Sequence, residues 1–155
     1  MHLEDHGKVG HTGQSQHFAG TAFDVGQGWT NAKRATLRTS ARNSGLWNYI
    51  EPVSISPTWV HFDRRQLPPA CSTGGYPQIK QGSLSVYVLI AQDDLNTLGF
   101  STGSLDGIFG TKTKNAVIRY QRSRGLTADG IIGCNTWRSL QENVVGTGRT
   151  STTLD

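Results

Sequence analysis

Apolar residues in the second half of the chain recur at helical spacing. Between residues 84 and 98 they follow one another at intervals of four, three, four and three, which places them on one face of a helix. A second helix is predicted over residues 111–124 and a third from residue 135. The predicted inward positions are Leu84, Val88, Ala91, Leu95 and Leu98 in the first helix, Ala116, Val117 and Tyr120 in the second, and Trp137 and Leu140 in the third.

The first half of the chain contains two segments with the alternation of a β-strand. Residues 21–25 and 58–63 each place apolar side chains on one face and polar side chains on the other. Between them, residues 32–44 are predicted to form a helix that ends at Gly45. The two strands should therefore present their polar faces to a common cleft. The polar-face residues are Asp24 on the first strand and Trp59, His61 and Asp63 on the second.

The composition of the chain changes once, between residues 67 and 81. This stretch holds three of the chain's five prolines together with two glycines, so neither a helix nor a central strand is expected to continue through it. We interpret it as a linker between a first domain, residues 1–66, and a second, residues 82–145. Residues 146–155 are rich in Thr, Ser and Gly and are expected to fray.

Length and charge restrict the class of protein. The 155 residues allow one compact domain or two small ones, and no apolar run approaches the ~20 residues of a membrane span. The net charge is +4, but the basic residues are scattered, which argues against a nucleic-acid partner. We expect a monomer without membrane insertion, and the polar start shows no signal peptide. Cys71 and Cys134 could form one bridge or none.

A short motif occurs twice in the helical half. Asp106-Gly107 and Asp129-Gly130 lie 23 residues apart, and each precedes a predicted helix. Asp-Gly favours a tight turn, because Asp bonds nearby backbone N–H groups and Gly accepts a positive φ. The repeat therefore predicts two equivalent turns that lead into successive helices.

These motifs resemble the peptidoglycan-binding domain of many bacterial wall hydrolases, over residues 82–145. The resemblance implies a three-helix, all-α domain that binds the stem peptides of peptidoglycan in an inter-helix groove. The matching residues are Leu98-Gly99-Phe100, Asp106-Gly107-Ile108-Phe109-Gly110 with Thr113, Tyr120-Gln121, Gly125-Leu126, Asp129-Gly130, Gly133 and Thr136-Trp137.

The first half also resembles a known family, the zinc DD-peptidases with their Hedgehog-like fold. Two imidazoles and one carboxylate suit Zn²⁺ and leave a fourth position for water. The family includes D-Ala-D-Ala carboxypeptidases and L-alanyl-D-glutamate endopeptidases. The resemblance implies that His17, Asp24 and His61 bind one zinc ion, with Ser15 and Trp59 as substrate-binding candidates. The matching motif is Ser15-x-His17-x-x-Gly20-x-Ala22-x-Asp24, followed by Trp59-x-His61.

The sequence leaves the identity of the general base open between two residues. Many family members place a carboxylate three residues before the second histidine, where this chain has Thr58. Asp63, on the same strand face as His61, is the first candidate, and its alternative role is that of a partner to an arginine. Glu51, in a proline-bounded loop, is the second candidate.

Fourteen residues precede Ser15, fewer than the family's peptidase domain has there, so we expect an N-terminally truncated α+β segment with a small antiparallel sheet. His2, His6 and His11 in this lead are interpreted as solvated loop residues. The predicted function is zinc-dependent hydrolysis of peptidoglycan stem peptides, outside the cytoplasm at the cell wall, in secreted form, or as a phage endolysin. The alternative is a wall-binding module with an inactive peptidase remnant.

Overall fold

The computed structural model describes residues 16–17, 19–72 and 75–145. These residues divide into two compact units, residues 16–67 and residues 68–145. We call them the sheet unit and the helical unit. The expectations for Ser15, for the three early histidines and for the tail lie outside the described residues.

The sheet unit contains a three-stranded antiparallel sheet in the order β1-β3-β2. The strands are β1 (Ala22–Val25), β2 (Tyr49–Ile50) and β3 (Val60–Asp63). The predicted antiparallel sheet is confirmed, and β2 adds a short strand that the alternation did not reveal. Trp59 lies directly before β3, outside the strand itself.

One helix, α1 (Asn31–Ser44), covers the apolar face of this sheet. Thr30 caps its first turn by accepting a hydrogen bond from the Lys33 backbone, and Gly45 ends it in the left-handed conformation with φ of 64°. The residues packed between helix and sheet are Ala41, Val60 and Phe62, with Val25, Leu37, Trp47 and Ile50 around them.

Two arginines of α1 are buried and bind loop carbonyls. Arg38 Nη2 donates to the carbonyl oxygens of Ser56 and Trp59, at 2.5 and 2.7 Å. Arg34 Nη1 donates to the carbonyl oxygens of Gly26 and Trp29. The loop after β1 and the loop before β3 are therefore both tied to the same helix.

The helical unit contains α2 (Val86–Thr97), α3 (Thr111–Ser123) and α4 (Cys134–Val145). The three predicted helices are confirmed. Leu84 is the exception among the inward positions, because it precedes the N-cap Ser85 and is 70% exposed. Among the described residues, none of the helices in either unit is long and apolar enough to cross a bilayer.

Both Asp-Gly turns are held by a buried glutamine of the preceding helix. Gln92 Oε1 accepts hydrogen bonds from the backbone N–H groups of Asp106 and Gly107, at 3.1 and 3.0 Å. Gln92 Nε2 donates to the Asp106 carboxylate at 2.9 Å. The repeat in sequence is therefore a repeat of one polar contact between a helix and a turn.

The second turn uses the same contact. Gln121 Oε1 accepts from Gly130 N, and Gln121 Nε2 donates to Asp129 Oδ1, both at 2.9 Å. Gly130 has φ of 74°, and a Cβ there would lie 2.9 Å from Lys114 Cγ. Glycine is thus required at this turn both for its backbone conformation and for space.

Residues 68–72 and 75–81 pack into the helical unit, whereas residues 67–81 were predicted to form a linker. Tyr76 is fully buried, and the Trp137 indole donates to the Pro77 carbonyl at 2.8 Å. Cys71 and Cys134 form a disulfide. The prolines do exclude regular structure, but an irregular segment can still pack when its polar groups find partners. The composition therefore correctly predicted that no helix or strand continues through this segment. It misplaced the start of the helical unit, which includes residues from Pro68 and not only from Gly82.

Removing the disulfide should destabilise the helical unit. The bridge closes a loop of 63 residues, and the loss of chain entropy in the unfolded state corresponds to about 4 kcal/mol. We expect the double variant Cys71→Ser/Cys134→Ser to lose this amount of the free energy of unfolding. Denaturant unfolding, followed through the amide exchange of α4, measures the loss. The reduced wild-type protein is the control, and equal protection of α4 with and without the bridge would contradict the prediction.

Candidate metal centre

The pairing of β1 with β3 brings two of the predicted metal ligands together. Asp24 lies directly opposite His61 in the antiparallel register, and Asp24 Oδ1 is 2.8 Å from His61 Nδ1. Because the two residues face each other, their side chains leave the sheet on the same side. The register therefore places a carboxylate and an imidazole at one point.

His17 reaches the same point from the turn before β1. Its Nε2 lies 3.2 Å from His61 Nδ1 and 3.4 Å from Asp24 Oδ2. Gly20 N donates to the His17 carbonyl at 3.0 Å, and Gly20 has φ of 66°. Nothing lies within 4 Å of a Cβ built at Gly20, so it is the backbone conformation that requires glycine there.

The spacing of these donor atoms suits one small metal ion. The ligand atoms of His17, Asp24 and His61 all lie within 4.8 Å of one another. Zinc bonds of roughly 2.0–2.2 Å in tetrahedral geometry put ligand atoms about 3.4 Å apart. Two imidazole nitrogens and one carboxylate oxygen are also the donor types that zinc accepts. The three residues fit the ion that the sequence predicts.

Asp63 lies on the other side of the His61 ring. Its Oδ2 is 3.0 Å from His61 Nε2, and Arg65 donates to both oxygens from Nε. The Asp63 side chain has no exposed surface. A hydrogen bond from Nε2–H leaves Nδ1 with its lone pair toward Asp24 and His17. Asp63 therefore orients His61, as the partner of an arginine, and is not placed for the predicted role of general base.

The charges around His61 shift two pKa values. Burial raises the pKa of Asp63, but hydrogen bonds from Arg65 and His61 outweigh burial and lower it to about 2. Burial lowers the pKa of His61, but hydrogen bonds to Asp63 and Asp24 and their negative charges outweigh burial and raise it. An ionised Asp63 thus persists behind the imidazole through the physiological pH range.

Glu51 is placed on the polar face of the sheet. It follows β2, and its backbone N–H donates to the His61 carbonyl at 2.9 Å, so it lies opposite His61 on the next strand. Opposed residues have Cβ atoms about 4.5–5.5 Å apart. Glu51 is half-buried and remains the candidate for proton transfer. Trp59 is also half-buried, outside β3.

Sequence reasoning missed Arg65 and Tyr49. The Arg65 guanidinium lies 3.7 Å above the centre of the Tyr49 ring, and that ring is 6.2 Å from the His61 ring. Arg65 also fixes Asp63. The available signal was the spacing of Arg65, two residues after Asp63 and four after His61, which continues the polar face of the strand.

A family profile for a peptidoglycan binding domain matches residues 86–140. The chain therefore contains a peptidoglycan-binding domain within its helical unit. Two curated relatives are N-acetylmuramoyl-L-alanine amidases. CwlM of Mycobacterium tuberculosis is 55% identical over 53 residues, and CwlL of Bacillus licheniformis is 46% identical over 43 residues.

These relatives match a limited part of the chain. The matches cover 34% and 28% of it, and they span 13% and 12% of the two amidases. The similarity to the amidases covers only the binding domain. A crystal structure of a peptidoglycan-binding protein from Clostridioides difficile is 41% identical, with a TM-score of 0.43, over 45% of this chain and 44% of that one.

Acid should weaken the sheet unit through Asp63. Its pKa of about 2 lies below the ordinary 3.8, so its contribution is complete above about pH 5 and is lost progressively as the pH falls toward about 2. The shift corresponds to about 2 kcal/mol. Urea unfolding with a chelator present should show this loss in wild type and not in Asp63→Asn. Asp93→Asn, in the helical unit, is the matched control and should retain the loss.

Proposed function

We propose that this chain is a zinc-dependent peptidase that hydrolyses stem-peptide bonds of peptidoglycan and is held on the cell wall by its binding domain. The convergence of His17, Asp24 and His61 carries the proposal, because residues far apart in sequence supply the donor set that zinc accepts. The peptidoglycan-binding domain in the same chain supplies the substrate class. The proposed activity is that of a D-Ala-D-Ala carboxypeptidase or of an endopeptidase.

The three ligands would leave one coordination position open. A zinc ion held by the three ligands would supply an acidic water and a Lewis acid for the scissile carbonyl. Glu51, half-buried opposite His61, would accept the proton of that water and return it to the leaving amine. Asp63 would hold the Nε2–H of His61, and Arg65 would keep Asp63 ionised. Each of these residues has a separable role.

Zinc binding tests the ligand set. We expect about one zinc ion per purified chain at neutral pH, and loss of that zinc in His17→Ala and Asp24→Asn. Asp63→Asn should bind zinc 10–100-fold more weakly, because the orienting hydrogen bond is changed. Calorimetric titration of the chelator-treated protein measures both effects. Glu142→Gln, an exposed carboxylate of α4, is the control, and unchanged affinity in His17→Ala would refute the ligand assignment.

Turnover of soluble muropeptides separates Glu51 from Asp63. Glu51→Gln should retain zinc and lose about 10²–10⁴-fold in rate, because a general base is removed. Asp63→Asn should recover much of its rate when zinc is in excess. Chromatography of released peptides measures the rate in each variant. A Glu51→Gln protein that cleaves at the wild-type rate would exclude Glu51 as the base.

A wall-binding module with an inactive remnant is the second candidate. It is favoured by one observation, that the similarity to the amidases covers only the binding domain. Incubating the zinc-loaded chain with purified sacculi distinguishes the two functions. Sedimentation with the sacculi together with peptide release supports the peptidase, whereas sedimentation without any release supports the binding module.

A further inference from the structure

Each helix of the helical unit contains a glutamine at the same place in a common pattern. Two buried apolar residues stand three positions apart, and the glutamine follows directly after the second. The pattern is Val88, Ala91 and Gln92 in α2, Val117, Tyr120 and Gln121 in α3, and Trp137, Leu140 and Gln141 in α4.

The first two glutamines perform the same task. Each amide oxygen accepts from the backbone of a turn, and each amide nitrogen donates to the carboxylate of the aspartate in that turn. Gln92 and Gln121 also donate to a backbone carbonyl, those of Ile108 and Ile131. A side-chain amide at this position therefore binds a peptide backbone next to a carboxylate.

Gln141 has the same setting and no such partner. It is 6% exposed, and neither its Nε2 nor its Oε1 forms a hydrogen bond. Leaving a buried polar group unpaired costs about 1–3 kcal/mol. In the part of the chain that the structure describes, the other buried side-chain atom in this condition is Arg34 Nε. Gln141 is thus a buried amide whose hydrogen-bonding capacity is unused within the described residues.

Gln141 lies near the end of α4, where a ligand could reach its side-chain amide. Gln141 begins the last described turn of the helix, which ends at Val145. The last turn of a helix has carbonyls without intrahelical partners and opens at lower free energy than the helix centre. Opening this turn would expose the Gln141 amide and leave the two Asp-Gly turns intact.

We propose that Gln141 is a ligand-binding residue of the peptidoglycan-binding domain, and that its amide binds a main-chain amide and an adjacent carboxylate of a wall stem peptide. The proposal rests on the peptidoglycan partner proposed above and is independent of zinc. Stem peptides present backbone amides next to free carboxylates, which is the combination that Gln92 and Gln121 bind within the chain. The bound peptide would satisfy both atoms of the Gln141 amide.

Gln141→Met in the full chain tests this assignment, because methionine has a similar length and no amide. We expect the variant to be as stable as wild type or more stable, since an unpaired polar group is removed. We expect it to bind soluble stem peptides at least about tenfold more weakly. Calorimetry with peptides released from sacculi, with a chelator present to prevent cleavage, measures the affinity.

Two control variants make the result specific. Gln121→Met should lower stability, because it leaves Asp129 and Gly130 unpaired, and this opposite sign separates a paired amide from an unpaired one. Glu142→Gln, beside Gln141 and exposed, should leave both stability and affinity unchanged.

Four outcomes would overturn the proposal. Wild-type affinity in Gln141→Met would mean that the amide has no part in binding. Lower stability in Gln141→Met would mean that the amide has a partner within the folded chain. A wild-type chain that binds sacculi but not soluble stem peptides would assign the ligand to the glycan, and peptidoglycan binding itself would stand. A chain that binds neither form would end both proposals.

Discussion

The antiparallel register between β1 and β3 is the constraint on which the candidate metal centre depends. It sets Asp24 against His61, and a shift of one residue would turn the imidazole to the opposite face of the sheet. The register is specified by the apolar face, where Val60 and Phe62 pack against Ala41 of α1. The packing of hydrophobic side chains thus determines where the polar donor atoms meet.

Helix α1 contributes a second constraint through its buried arginines. Arg38 binds the carbonyls of Ser56 and Trp59, which lie just before β3. Arg34 binds the carbonyl of Gly26, just after β1. Their charges are buried beside backbone oxygens, so the bonds order two loops that have little regular structure of their own. The strands that present His61 and Asp24 are each anchored at one end.

The helical unit is organised by a different interaction, the bond between a buried glutamine and a peptide turn. Gln92 and Gln121 fix the turns that start α3 and α4, and the same residue type at Gln141 has no turn to hold. A domain that recognises a peptide could use the same amide contact outward as it uses inward. Attachment to the wall would raise the local concentration of stem peptides around the catalytic site that we propose for the same chain.

Local periodicity was enough to predict α1 to α4, β1, β3 and both Asp-Gly turns, because these depend on residues close together in sequence. The motif also predicted that His17, Asp24 and His61 would lie together; their role as zinc ligands stays a prediction. Tertiary packing settled what local patterns left open or misjudged. Asp63 was the first candidate for general base, with an arginine partnership as its alternative, and its contacts with Arg65 and His61 match the alternative.

The proline-rich stretch likewise shows that local composition does not predict tertiary contacts. Its composition excludes regular structure, but Tyr76 and the Cys71–Cys134 bridge join it to the helical unit. Sequence patterns report the conformation of a segment, and that was predictable here almost throughout. They do not report which distant groups will pair, because pairing depends on register and packing across 40 to 60 residues of chain, as for His17 with His61 and Pro77 with Trp137.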